Sequence, residues 1–158
     1  LCIRQLEKVV KEDTRLLDVG TGSGILGITA LKLGAKEVKG TDLDENAIVA
    51  VGENLKANGI EPEQFQVMQG NILDDPTVQQ WAGFGCYDVA VANILADVII
   101  PLVDEIPVHL KKGGIFISSG IINLKEQAVL EAFSRNQELE VTEVTRQGEW
   151  VSVTARRK

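Results

Sequence analysis

The 158-residue chain carries 16 Lys plus Arg against 23 Asp plus Glu, a formal charge of −7, with 44% hydrophobic and 25% charged residues. That composition fits one globular domain, and its acidic balance argues against a protein that grips nucleic acid chiefly through phosphate charge. One histidine, His109, and two widely separated cysteines, Cys2 and Cys86, leave no zinc-ligand spacing and no C-x-x-C redox pair.

Taken in chain order, the segment from Leu1 to Val10 has apolar residues at helical spacing but no cap before it, as in a fragment cut from a longer chain. Arg15 to Val19 reads as a buried strand running into a glycine-rich turn. A helix through Ile25 to Leu33 follows, closed by Gly34. Glu37 to Asp42 is a second strand and Glu45 to Asn58 a second helix, with Asp44 placed to cap it. Phe65 to Gly70 is a third strand. Asp74-Asp75 before Pro76 reads as a solvated turn, and Val78 to Ala82 as a short helical stretch.

Tyr87 to Asn93 is a fourth strand whose small-apolar centre suits a strand covered on both faces. A helix through Val98 to Leu110 is predicted to end at Lys111-Lys112-Gly113-Gly114, and Ile115 to Ser119 forms a fifth strand. Asn123 with Glu126 resembles a capping box for a helix ending near Arg135. Glu140 to Thr145 and Trp150 to Ala155, joined through Gln147-Gly148, read as an antiparallel hairpin. The alternation predicts an α/β fold in one domain: a doubly wound, mainly parallel sheet of seven strands with an antiparallel C-terminal hairpin and helices on both faces. His109 reads as a helix-end or surface residue, Trp81 and Trp150 as packing residues, and Arg156-Arg157-Lys158 as a frayed tail. Two isolated cysteines read as reduced thiols, and no apolar run approaches the roughly 20 residues that span a bilayer. A cytoplasmic protein, with no membrane partner and no metal, is the expectation.

Asp18-Val19-Gly20-Thr21-Gly22-Ser23-Gly24 is the segment that carries chemistry. Glycines after a buried strand let the backbone turn sharply and approach a ligand, with the next helix's amides pointing at it. Two cofactors compete for it. Gly22-Ser23-Gly24-Ile25-Leu26-Gly27 formally matches the dinucleotide fingerprint, and Asp42 lies roughly 20 residues on, where a ribose-binding acid belongs. Asp18 favours a different ligand. Beside a pyrophosphate its carboxylate would meet like charge in a poorly solvated cleft. S-adenosylmethionine carries no phosphate and has both an ammonium and a sulfonium. The bland alternatives are a carboxylate capping loop amides for Asp18 and a helix-entry acid for Asp42.

Here the chain resembles the class I S-adenosylmethionine-dependent methyltransferases over essentially its whole length. The resemblance implies that Gly20, Gly22 and Gly24 border the methionine moiety, that Asp42 binds ribose and that Leu43 packs on adenine. It also places Asn71, in Gly70-Asn71-Ile72, where such enzymes contact the adenine amine; a loop-turn amide is the equal alternative. The fourth strand ends in Asn93-Ile94-Leu95-Ala96, without the prolines and aromatic ring that clamp planar amides or bases, so an aliphatic amine is the better acceptor. Asn93 could accept a hydrogen bond from that amine and aim its lone pair; a strand-end amide satisfying local backbone is the alternative.

Asn93-Ile94-Leu95-Ala96, together with Leu1-Cys2-Ile3, Ser119-Gly120-Ile121 and Gly148-Glu149-Trp150-Val151, resembles the ribosomal protein methyltransferases that act on large-subunit protein eleven. That likeness implies a basic ribosomal protein as partner, without direct nucleic acid, and lysine and α-amine nitrogens as acceptors. The family's N-terminal recognition domain, linker and Gly/Thr-rich segment have no counterpart among residues 1–158. Competing readings are a small-molecule or RNA methyltransferase on the same fold, an NAD-dependent oxidoreductase, and a non-catalytic cofactor-binding fragment.

Overall fold

Leu16 and Leu17 point to opposite faces of the first strand, and each is completely buried. Leu16 joins one apolar core with Val89 and Val91, whereas Leu17 joins a second core with Ala90 and Ala92. The period-2 geometry of a strand therefore sorts an unbroken apolar run onto two faces, both covered by helices. That is the physical basis of the three-layer architecture in the computed structural model, which describes residues 1–158.

The elements run α1 (Cys2–Val9), β1 (Arg15–Val19), α2 (Ile25–Lys32), β2 (Glu37–Asp42), α3 (Asn46–Ala57), β3 (Phe65–Gln69), α4 (Pro76–Ala82), β4 (Tyr87–Asn93), α5 (Ala96–Glu105), β5 (Leu110–Ile122), α6 (Glu126–Arg135), β6 (Leu139–Gln147) and β7 (Trp150–Arg157). Seven strands form one sheet in the order β3-β2-β1-β4-β5-β7-β6. Strands β1 to β5 pair in parallel, and β7 pairs antiparallel with both β5 and β6. The strand order reverses between β1 and β4, so the loops leaving these two strands diverge and open a crevice at their C-terminal ends. The predicted doubly wound sheet and C-terminal hairpin are both present. No helix is long and apolar enough to cross a membrane.

Several boundaries differ from expectation, each for a local reason. Helix α5 stops at Glu105 and tightens into a 3-10 turn over Ile106–Val108, because Pro107 has no N–H to continue the ladder. Strand β5 begins at Leu110, ahead of the Lys-Lys-Gly-Gly stretch, which is absorbed as an irregularity between the Tyr87 and Val89 pairings. The Asn123 capping box does not form: α6 starts at Glu126 after a 3-10 turn, and the Glu126 carboxylate takes two bonds from Arg146 at 2.7 and 2.8 Å. Asp44 does cap its helix, accepting the Asn46 N–H at 2.9 Å. Asp75 is a cap rather than a mere turn residue, accepting the Thr77 N–H at 2.9 Å, so α4 begins at Pro76.

His109 is not a surface residue. It is fully buried, with Nδ1 2.7 Å from Gly83 O, Nε2 2.9 Å from Glu105 Oε1, and its ring stacked on Phe84. The C-terminal basic residues are not frayed. Arg156 donates to Glu140 Oε2 at 2.9 Å and Arg157 to Leu110 O, both from within β7. Trp81 packs against the core as expected, with the Lys39 ammonium 4.8 Å above its ring. Trp150 does not: it stands 52% exposed at the start of β7.

Candidate functional site

Strand β1 delivers Asp18 and Val19 to the mouth of the crevice, and the chain then turns through Gly20 to Gly24 before α2. Gly20 has φ +74°, and a Cβ there would lie 2.5 Å from Ile94 Cγ2. Both the left-handed backbone and the close approach of the β4–α5 loop demand glycine at that point. Gly22 donates its N–H to Asp42 Oδ2 at 2.8 Å, while Asp42 Oδ1 accepts from Asp44 N–H at 2.9 Å. Asp42 therefore ties the glycine loop to the end of β2 rather than serving only as a helix-entry acid.

Asp18 lies beneath the loop, 1% exposed. Its Oδ2 accepts the Thr21 hydroxyl at 2.8 Å, and its Oδ1 has no partner in the protein. No loop amide reaches it, which removes the capping explanation. Burial pushes its pKa up to about 7 against the Thr21 hydrogen bond, with the Asp42 charge adding to the rise. Burial, reinforced by Asp18, likewise pushes the Cys2 thiol up to about 12, so Cys2 is an inert neighbour and not a nucleophile. The second Asp18 oxygen is thus a buried acceptor that nothing in the protein satisfies.

Two cavities flank the loops. One, of about 450 Å³, is lined by Gly20, Asp42, Leu43, Asn71, Ile94 and Leu95 among others. Leu43 and Leu95 are 67% and 74% exposed, an unusual display of leucine on both sides of one slot. Asn71 Oδ1 accepts the Leu73 N–H at 3.0 Å, so the turn-forming reading holds while the residue also faces the slot. The second cavity, of about 800 Å³, is lined by Asn93, Ser119, Gly120, Trp150, Ile25 and Cys2 among others, with no ionisable side chain except that thiol. Asn93 ends β4 with an exposed side chain. The local backbone bond there is made by Ile94 N–H to Ser119 O at 3.2 Å.

The structure thus gathers Gly20, Asp42, Leu43 and Asn71 around one cavity and Asn93 beside the next, with Ile94 as part of the wall. Asp18, Gly22 and Gly24 line neither. Asp18 is buried below, Gly22 braces Asp42, and Gly24 opens α2 against Val51. Ser119, Gly120 and Trp150 also line the larger cavity; the sequence offered all three only as parts of segments that carry the family resemblance, with Trp150 expected to pack. No group of three or more His, Cys, Asp or Glu residues is arranged to hold a metal ion. His109 sits at the N-terminal end of β4, where its carbonyl receives the Tyr87 N–H, at the opposite end of the strand from Asn93.

A family model described as "Ribosomal protein L11 methyltransferase (PrmA)" matches residues 1–158, the entire chain. The chain belongs to this family. It is 54% identical over 158 residues to a ribosomal protein L11 methyltransferase of Lachnospira eligens, covering 100% of this chain and 50% of that protein. A relative of the same name from Agathobacter rectalis is 50% identical over 160 residues, covering 99% and 49% of the two chains. The crystal structure of a ribosomal protein L11 methylase from Lactobacillus delbrueckii subsp. bulgaricus superposes with a TM-score of 0.87 at 33% identity, covering 99% of this chain and 76% of that one. The chain spans about half the length of the curated relatives it matches. Family membership places it among methyltransferases and removes the motivation for a nicotinamide cofactor, whose glycine pattern is shared by both cofactor classes.

Proposed function

We propose that residues 1–158 form a single S-adenosylmethionine-binding catalytic domain that methylates amine nitrogens of ribosomal protein L11, on lysine side chains and the terminal α-amine. The observation that carries the cofactor is Asp18: a buried carboxyl with an unpartnered oxygen under a glycine loop suits an ammonium-bearing ligand and repels a pyrophosphate. The donor set agrees. Asp42 at the end of β2 presents a carboxylate to ribose hydroxyls, Leu43 and Leu95 offer apolar walls to a flat adenine, and Asn71 offers an amide. Gly20, Gly22 and Gly24 keep the backbone between them low enough for the methionine portion. S-adenosylmethionine, when bound, supplies a methyl group already activated by its sulfonium.

The protein then has to orient the acceptor, exclude water and keep the amine uncharged. Asn93 stands at the wall of the larger cavity, where its amide oxygen would accept a hydrogen bond from the incoming N–H and direct the nitrogen lone pair. That cavity has no carboxylate to stabilise an ammonium, so a lysine, with a free pKa near 10.4, enters as the neutral amine after losing its proton to water. The absence of an aromatic clamp between Asn93 and Ala96 separates this site from those built for planar nitrogens. The acidic chain, at −7, complements a basic protein partner.

Thermal denaturation with each cofactor tests the first step. Saturation at about 100 times the dissociation constant adds roughly 2.7 kcal/mol, or roughly 5–10 °C for a domain of this size. A shift of that size with S-adenosylmethionine and none with NADH is expected. The reverse result would return the glycine loop to dinucleotide binding.

A further inference from the structure

Strand β5 bends as it passes the site. Its pairing with β7 steps from Ser118↔Val153 to Ile121↔Val151, so Ser119 and Gly120 stand opposite the single residue Ser152. Two residues facing one make a bulge, which bends its strand and re-aims side chains nearby. Two buried hydroxyls pin this bulge: Ser118 donates to Val153 O at 2.8 Å, and Ser152 donates to Ser118 O at 2.9 Å. Inside it Gly120 has φ +77° and lies against the end of β4. A Cβ at Gly120 would fall 2.7 Å from Asn93 Oδ1, 3.1 Å from Ile94 O and 3.2 Å from Ile94 N. Asn93 and Ser119 are in register across the β4–β5 ladder, and Asn93, Ser119 and Gly120 line the same cavity.

We infer that Gly120 is a positioning residue for Asn93: the bulge lays its bare backbone against the Asn93 amide and so sets where Oδ1 sits in the cavity wall. A turn that needed only a positive φ would accept Asn or Asp, which visit that region. Here a Cβ adds a second demand beyond the strain of the positive φ: it meets Asn93 Oδ1 at 2.7 Å, and the Asn93 amide has to move to admit it. The inference rests on Asn93 being the group that orients the acceptor amine, and it extends the machinery from β4 into β5 without adding a second polar contact to the substrate.

The test uses Gly120→Ala and Gly120→Asn in the full-length protein, each with and without Asn93→Ala. Turnover and KM are measured with ribosomal protein L11, S-adenosylhomocysteine affinity by calorimetry, and the Asn93 side-chain amide resonance by NMR. Gly120→Ala is expected to lower kcat about 10–100-fold, as for a displacement near 1 Å at a reacting centre, with product affinity held within about twofold. The Asn93 resonance moves, and in the Asn93→Ala background the further loss shrinks to less than about twofold. An equal further loss in that background, or an unmoved Asn93 resonance, overturns the inference. Where the Gly120 variants do not fold, Ser152→Ala keeps the glycine and loosens the bulge; it should move the same resonance and lower kcat in the same direction, and no change in either overturns the inference. If Asn93→Ala alone leaves kcat intact, Asn93 is not the orienting group. The Gly120-dependent resonance then decides alone, movement supporting the positioning contact and stillness overturning it.

Discussion

In the proposed site Asp18 would meet two chemical demands at once: dry enough to bind tightly and charged enough to attract a cation. Burial pushes its carboxyl up to about 7 from an ordinary 3.8, so in the ligand-free protein the unfolded chain releases this proton first as pH rises. The sign follows directly. Stability contributed at this site is fully present below about 4 and is lost as pH climbs through 7. Binding of the proposed cofactor at Asp18 would run the other way, because a cationic ligand favours the carboxylate and below about 7 must displace a proton. S-adenosylmethionine affinity should therefore strengthen from pH 6 to 8, with proton release detectable by calorimetry in buffers of different ionisation enthalpy. Asp18→Asn should weaken binding roughly 10–100-fold, the worth of a charge-assisted hydrogen bond, and flatten that pH dependence. Persistence of the pH dependence in the Asp18→Asn variant would move the titration to another group. Asn93→Ala should separate from it kinetically, lowering turnover by about tenfold or more while cofactor affinity stays within about twofold; equal losses in both would make Asn93 a binding residue. The placement of Asp18, Gly20 and Asp42 around one glycine turn was readable in sequence because a strand, a glycine turn and the next strand end have fixed spacing. Ser119 and Trp150 stood in segments that carry the family resemblance, but their meeting with Asn93 at one cavity was not readable, since tertiary pairing alone brings β4, β5 and the β6–β7 hairpin together there.

At the level of elements, the slot depends on how its loops are anchored. The segment carrying Asn71 is held between β3 and α4, and α4 is short, so its Asp75 cap is a large share of its end stabilisation. Asp75→Ala should cost about 1 kcal/mol, read as a lower denaturant midpoint with unchanged slope. An unchanged midpoint would mean Pro76 alone starts the helix. Elements announced by periodicity and glycine punctuation were legible: every strand and every helix expected from the chain is present. Boundaries were legible only where one residue decides them. Asp44 caps α3 as its spacing implies, whereas Glu126 was diverted from a capping box by Arg146, a residue 20 positions away on β6. The end of α5 turned on Pro107, and its sequence signal was outweighed by the apparent stop at Lys111-Lys112-Gly113-Gly114, which tertiary pairing draws into β5.

For the whole molecule, the sheet's two covered faces make the scaffold, and the C-terminal ends of its strands carry the candidate site. Reading both faces from sequence was possible because the runs Leu16-Leu17 and Val89 to Ala92 leave no polar side for water. His109 escaped that reading because a lone histidine gives no sign of the carbonyl and carboxylate that surround it in the fold. The net charge of −7 has a kinetic consequence if the partner is basic: KM for the ribosomal protein should rise with salt as screening shortens the reach of the field, while S-adenosylmethionine affinity changes little. A salt-independent KM would assign docking to apolar contacts. The most direct measurement is intact-mass and peptide mapping of ribosomal protein L11 after incubation with the full-length protein and S-adenosylmethionine. Stepwise additions of one methyl group each are expected, confined to lysine side chains and the α-amine, and diminished by Asn93→Ala. Unchanged L11 alongside methylation of an RNA or a small molecule would contradict the assignment of a protein amine as acceptor.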